Sequence, residues 1–373
     1  MLRLTTRSAA LLALALSLGL GGTASARDAD RTQYPIVFAH GMGGFDDVLG
    51  YDYWGDDYGV YVLDTCQWGE YYCNGDINSG QQSFVASVTP FQSSEVRGYE
   101  LYQDIEGYLA SSGHSYVNII GHSQGGLDLR KAAKLLKDNR GYKVVRYGIS
   151  ISSPHRGSPI AQYVFNMSPG VVSILETLAE YFGDVIYGGG NDAIAALKQL
   201  VHHDIDPNDG ITTGTAAFNA AYPGNGTNMA RARSFLTGQD NGNMNPALYL
   251  IKELWTNIDG DGYASYDANG DGALGTGDGN ASDNDDDGLV GINSQQMGYR
   301  LEYWECYGCL DYVWARDNTG YTGDLNAPSP TQMTSHAWKI NQDHLDIIGV
   351  PPDTFDEMEF YAAITDYIAD NGY

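Results

Sequence analysis

Residues 119–125 read Ile-Ile-Gly-His-Ser-Gln-Gly, so Ser123 stands in a Gly-x-Ser-x-Gly turn. The turn follows an apolar β-type run, Val117 to Ile120. After it, Leu127, Leu129, Ala132, Ala133, Leu135 and Leu136 recur at helical spacing. A serine on a strand-to-helix turn sits in a strained backbone, and Gly121 and Gly125 lack the Cβ atoms that would clash there. A serine hydroxyl is a poor nucleophile at neutral pH. It needs a base, and the base needs an orienting carboxylate; together they carry out acyl transfer.

Eight histidines are available as the base. His122 lies inside the turn and His40 in a glycine-rich stretch, where each reads as structural. His114 precedes the serine, and His155, His202 and His203 precede any acid-then-histidine order, which leaves His336 and His344. His344, in Asp343-His344-Leu345-Asp346 before the apolar Ile347-Ile348, suits a late loop presenting the base. The acid then lies between Ser123 and His344. Asp287-Gly288-Leu289-Val290-Gly291 combines a carboxylate, a turn glycine and an apolar pair. The rival reading makes Asp283, Asp285 and Asp287 a cation loop, and a metal-bound carboxylate would be a weak partner for imidazole. Backbone N–H groups must also face the charge that develops on the substrate oxygen. Gln124, after the nucleophile, offers one, and Met42, in the glycine-rich loop after the first strand, offers another.

The elements that must hold these residues alternate. Tyr34 to Ala39 is a strand feeding His40-Gly41-Met42-Gly43-Gly44, and 60–63 and 84–88 read as further strands. A helix opens at Ser94-Glu95-Val96-Arg97 and runs to about Ala110. Strand 117–120 and helix 125–137 follow, then a strand from Val144 to Ser152 ending at Ser153-Pro154-His155-Arg156-Gly157-Ser158. This pattern predicts a mainly parallel sheet covered on both faces. No internal repeat is visible.

The chain opens with a processing signal. Arg3 and Arg7 precede an apolar stretch at 9–20, and Ala24-Ser25-Ala26 offers a cleavage site. That stretch is shorter than the ~20 residues a membrane span needs. The expectation is an exported protein without stable membrane insertion, with residues 27–373 as one domain. With 47 acidic against 20 basic residues, the net charge of −27 disfavours nucleic acid and anionic lipid headgroups. Cys66 with Cys73 and Cys306 with Cys309 read as disulfides in an exported chain, near neighbours being the simplest pairing. No second Cys-x-x-Cys or spaced histidine pair accompanies Cys306-Tyr-Gly-Cys309, which argues against zinc.

Two segments stand apart. After Ser168-Pro169, Val171, Ile174, Leu175, Leu178, Phe182, Val185 and Ile186 form one apolar stripe that ends at Gly188-Gly189-Gly190. It reads either as a core-packed helix or as a mobile lid spanning about 160–200. From about 257 to 287 the composition shifts to Asp, Asn and Gly. Within it, Asp267, Asn269, Asp271, Gly272 and Asp278 fall at positions one, three, five, six and twelve of a calcium loop. Position twelve is Asp rather than the longer Glu, and no amphipathic helices flank the loop, so a solvated acidic loop is the alternative.

Taken together, these residues resemble the secreted bacterial triacylglycerol lipases of the Pseudomonas and Burkholderia type. The matching pieces are Tyr34-Pro-Ile-Val-Phe-Ala-His-Gly-Met-Gly-Gly-Phe-Asp46, Gly50-Tyr-Asp-Tyr-Trp54, Ser94-Glu-Val-Arg-Gly98, Val117-Asn-Ile-Ile-Gly-His-Ser-Gln-Gly-Gly126, Ser153-Pro-His-Arg-Gly-Ser158, Asp287-Gly-Leu-Val-Gly291 and His344-Leu-Asp346, in family order. The resemblance implies an α/β-hydrolase fold with a helical lid, a Ser123–Asp287–His344 triad and oxyanion donors at Met42 and Gln124. It also implies a structural Ca²⁺ beside the histidine loop, held by Asp346, by Asp259 (with Asp261 as the alternative) and by backbone carbonyls such as that of Val350. The stretch after the His-Leu-Asp motif is shorter than the family's, both cysteine pairs lie in segments unlike its single disulfide, and 64–83 and 259–286 are extra.

The activity implied is hydrolysis of water-insoluble acylglycerols at an oil–water interface by a secreted monomer, with an export foldase as a possible partner. A carboxylesterase or polyester depolymerase would use the same triad without interfacial activation. A calcium-dependent binding module is the reading from another class; its single loop is embedded mid-domain rather than terminal.

Overall fold

The computed structural model describes residues 27–44, 47–48, 51–52, 71–77, 80–158, 160–161, 191–202, 208, 214–240, 242–246, 248–249, 286–306, 312–326, 339–350 and 355–373. The processing signal, the strand expected at 60–63, the apolar stripe of 171–186, the calcium loop of 267–278 and Asp259, Asp261, Asp283 and Asp285 lie outside these residues, as do His203 and His336.

The strands are β1 (Arg27–Ala29), β2 (Ile36–Ala39), β3 (Asp47–Val48), β4 (Tyr51–Asp52), β5 (Tyr72–Ile77), β6 (Ser83–Val85), β7 (Val117–His122), β8 (Val145–Ile151), β9 (Arg231–Phe235), β10 (Gly298–Cys306) and β11 (Tyr312–Thr322). The helices are α1 (Ser94–Ser112), α2 (Gly125–Arg140), α3 (Ala193–Gln199), α4 (Thr215–Ala221) and α5 (Glu357–Asp370). A seven-stranded sheet runs in the order β11-β10-β9-β8-β7-β2-β6. Neighbours are parallel except β11, which returns antiparallel along β10. The mainly parallel sheet expected from the alternation of strands and helices is what forms.

Strands covered on both faces must be apolar at successive positions, since alternate side chains enter opposite layers. In β2 and β7, Ile36, Phe38 and Ile120 enter the layer closed by α5 through Phe360, Tyr361 and Ile364. Val37, Ala39, Val117 and Ile119 enter the other, against Leu101, Ile105, Leu129, Ala132 and Leu136 of α1 and α2. The Ser93 hydroxyl caps α1 at Val96 N, and Gly113 and Gly141 close α1 and α2 with left-handed backbone. Both helices run two or three residues beyond their expected ends.

The sheet edge and the last helix differ from expectation, since β9, the β10–β11 hairpin and α5 were not foreseen. In β9, Arg233 interrupts the apolar pattern yet is buried, its guanidinium paired with Asp317 and bonded to the Tyr367 hydroxyl. Helix α5 starts at Asp356, whose carboxylate caps Glu359 N. It also clasps the start of the described chain. Glu359 accepts from the backbone N–H groups of Tyr71 and Tyr72 at 2.9 and 3.1 Å. Asp366 accepts from the Asp30 N–H and the Tyr72 hydroxyl, so β1 and its parallel partner β5 hang on α5. Burial pushes the Glu359 carboxyl up to about 8.

Candidate active site

Strand β7 ends at His122 and α2 begins at Gly125, which leaves two residues to reverse the chain. Ser123 takes that turn with φ +52°, a left-handed conformation that a side chain adopts at a cost. The Ser123 N–H is fixed to Ile151 O at 2.9 Å and its carbonyl accepts from Gly126 N. A Cβ on Gly125 would lie 2.1 Å from Ala39 O, so only glycine lets the start of α2 meet the end of β2. This contact sets Ser123 beside the His40–Gly44 loop.

His344 arrives from a loop more than two hundred residues downstream. Its Nε2 lies 2.9 Å from Ser123 Oγ and its Nδ1 2.8 Å from Asp287 Oδ2. With Asp287 accepting at Nδ1, Nε2 is free to accept the serine proton. The Asp287 carbonyl also accepts from His344 N at 2.9 Å, joining the two loops through backbone as well. Gly288, at φ +90°, makes the turn after the acid, and the Leu289 and Val290 N–H groups donate to Asp287 Oδ1. Of the two roles open to Asp287 in the sequence, the geometry forms the one beside imidazole. His122 lies against His344 with ring centroids 4.8 Å apart. Burial, with His344 adding to it, holds the His122 imidazole well below its usual range, so it is a neutral wall.

The glycine-rich loop is held by a residue on α1. Arg97, fully buried, donates to the carbonyls of His40, Thr89 and Pro90 and pairs with Asp128 at 2.8 Å. Gly43 N is bonded to Pro90 O in turn. Burial, reinforced by Arg97, pushes His40 down to about 3, so it carries no charge beside the serine. Among the described residues, neither the Met42 nor the Gln124 N–H donates to a protein acceptor. The Gln124 side chain instead bonds Gln92 O and Ser94 Oγ, which orients the residue without using its backbone donor. Met42 packs on an apolar cluster of Leu127, Ala161, Leu200, Val201 and Phe218.

His155 and His202 serve structure. His155 is buried with Nε2 on Ser150 Oγ at 2.9 Å, and burial keeps its pKa far below the ordinary value. His202 bonds Thr215 Oγ1. Three residues at the site escaped sequence reasoning. Thr237 Oγ1 and Gln295 Nε2 donate to Asp287 Oδ2 at 3.0 and 3.2 Å, and Ser152 Oγ lies 2.6 Å from Thr237 Oγ1. They come from the ends of β8 and β9 and from the turn before β10, and no local motif marks them.

Asp346 opens a short 3-10 turn, Asp346–Ile348, and is buried beside the histidine loop. The neighbouring Asp343 takes the N–H groups of Leu345, Asp346 and Asn245. Val350 N is bonded to Leu345 O. Among the described residues, no group of three or more His, Cys, Asp or Glu side chains gathers as a metal site would. Cys306 is disulfide-bonded; Cys66, Cys309 and the side chain of Cys73 lie outside the described residues. No described helix is long and apolar enough to cross a membrane.

No protein-family model matches the chain. It is similar to a triacylglycerol lipase of Vibrio cholerae, 32% identical over 203 residues, covering 52% of this chain and 55% of the relative. It is also similar to one of Burkholderia plantarii, 31% identical over 231 residues, covering 58% and 56%. The chain therefore spans little more than half the length of these curated relatives. Among solved structures, a metagenomic carboxyl esterase superposes with a TM-score of 0.52 at 12% identity, covering 92% of this chain and 78% of that one. That likeness is one of fold.

Proposed function

We propose that the chain, an α/β-hydrolase by its fold, is a lipase that hydrolyses acylglycerol esters through an acyl-enzyme on Ser123. The observation that carries the reading is the hydrogen-bonded line Ser123 Oγ–His344–Asp287, built on a strained turn beside two N–H donors, of Met42 and Gln124, that no described residue accepts. His344 takes the serine proton as Oγ attacks the ester carbonyl, then returns it to the departing alcohol. Asp287 holds the imidazole and balances its charge. The Met42 and Gln124 N–H groups receive the oxyanion, and water repeats the sequence to free the fatty acid. The apolar cluster under Met42 suits an acyl chain better than a polar leaving group.

Several finer parts belong to the same reading. Residues 1–26 direct export and 27–373 form one secreted, monomeric domain, with the 160–200 segment as its lid and an export foldase as a candidate partner. The cysteines pair as near neighbours. In this reading a structural calcium lies beside His344. The site's chemistry fits it, because Asp346 offers a buried, all-oxygen donor of the kind a hard cation prefers. Asp346, Asp259 and the Val350 carbonyl would hold the ion, which would fix the loop carrying the base. The Asp267, Asn269, Asp271 and Asp278 loop would take a second ion.

A triglyceride and soluble-ester chain-length series, run on wild type and Ser123→Ala, tests the proposal. Loss of a triad member costs on the order of 10⁴–10⁶ in kcat. More than a few per cent residual activity in Ser123→Ala would overturn the assignment. A rise in rate as triglyceride passes from dissolved to emulsified supports a lid opened by lipid, and a proportional response favours a carboxylesterase.

A further inference from the structure

Asp287 receives more donors than orienting one imidazole requires. Its Oδ2 is shared by His344 Nδ1, the Thr237 hydroxyl and the Gln295 amide, while Oδ1 takes two backbone N–H groups. Thr237, Gln295 and Ser152 are all fully buried. Gln295 is fixed in turn, accepting from Thr237 N at 2.7 Å and donating to the carbonyls of Thr237 and Val290. Ser152 holds φ +54°; besides Ser123, it is the only non-glycine residue with positive φ among the described residues. Strain of this kind persists where the surroundings over-determine it. Here it aims the Ser152 hydroxyl at Thr237, whose own proton is then directed to Asp287.

We propose that Thr237 and Gln295, with Ser152 behind Thr237, are positioning residues for the reaction, acting through Asp287. Resting on the hydrolase reading above, the inference is specific about mechanism. The two donors pin the rotation of the carboxylate about its Cβ–Cγ bond, so that Oδ2 faces Nδ1 when the imidazole becomes charged. A carboxylate bonded only through Oδ1 could swing Oδ2 away, and a small misplacement of the acid lowers turnover without touching substrate binding.

The test is a kinetic cycle on soluble ester. Thr237→Val, nearly isosteric and lacking the hydroxyl, lowers kcat on the order of tenfold with KM unchanged. Thr237→Ser restores most of the loss. In an Asp287→Asn background, where the carboxylate is already gone, Thr237→Val adds little, because coupled residues do not lose activity additively. Equal losses in both backgrounds, or no rescue by serine, would overturn the proposal and leave Thr237 a packing residue. Should Thr237→Val fail to fold, Ser152→Ala and Gln295→Met carry the same cycle with smaller effects, and additive losses there overturn it equally. Ser123→Ala is measured alongside. Activity surviving in that variant defeats the hydrolase reading itself, whereas an inactive Ser123→Ala with an additive Thr237 cycle defeats this inference alone.

Discussion

Replacing Arg97 with Met keeps an unbranched apolar stem and removes the guanidinium with its four hydrogen bonds, one to the Asp128 carboxylate and three to the carbonyls of His40, Thr89 and Pro90. Both partners of the ion pair are buried, with side-chain exposures of 0% and 1%. Breaking such a pair from one side costs about 3–5 kcal/mol, because the remaining charge is left in an apolar setting. The orphaned carbonyls add to this where water cannot reach them. Taking about 5 kcal/mol, and about 2.1 cal/mol/K of unfolding entropy per residue, a chain of this size loses about 6 °C in Tm. The cost depends on pH in a definite direction. Burial already pushes Asp128 up to about 6 against the pull of Arg97, and without Arg97 the carboxyl rises further and is met as the neutral acid at pH 5. Arg97→Met is therefore nearer wild type at pH 5 than at pH 8, where the charge must stay buried. Calorimetry at the two pH values, with Arg97→Met/Asp128→Leu as the partner variant, reads this directly. The double variant recovers part of the loss, since no charge is stranded. Turnover of Arg97→Met falls on the order of a hundredfold, because the loop carrying Met42 loses its anchor at His40. A Tm drop below about 2 °C, or a double variant no better than the single one, refutes the reasoning.

Glu359 sets a second pH dependence. Its folded pKa of about 8 lies above the unfolded value, so its contribution is fully present at low pH and is lost as pH rises through 8. Glu359→Gln, which still accepts from Tyr71 and Tyr72, should flatten the fall in Tm between pH 6 and 9; an unchanged slope excludes this origin. Chelation should lower Tm and inactivate progressively, with rescue by Ca²⁺ but not Mg²⁺. Asp346→Ala should copy the chelated behaviour, while Asp271→Ala costs some stability and spares activity. A chelator that changes neither Tm nor activity removes the proposed ion.

What the sequence displayed and what it hid divide along contact distance. β2, β7 and the turn at Ser123 were legible because their signals are local: unbroken apolar runs for strands covered on both faces, and glycines where the backbone must pass closely. The serine, the late histidine and the acid with its turn glycine carry similar short marks. β9 escaped because Arg233 reads as a surface residue until Asp317 and Tyr367 arrive from far along the chain. α5 escaped because nearly every one of its faces is buried, which erases the amphipathic stripe. Thr237 and Gln295 act through tertiary contacts alone. Arg97 lies in the Ser94-Glu-Val-Arg-Gly98 motif, yet its role appears only once the loops at 40 and 90 close around it.

The clasp between α5 and the first strand also orders events in time. The Asp30–Asp366 bond joins residues 336 positions apart, so β1 has no fixed partner on α5 until nearly the whole described chain has been made. Contacts of such long sequence separation are slow to form, because loop-closure entropy is met before any packing compensates it. During vectorial synthesis the early strands therefore stay unlatched until α5 has emerged. Once latched, β1 and α5 should open together as one cooperative unit, with the amides of both elements exchanging hydrogen at a common rate.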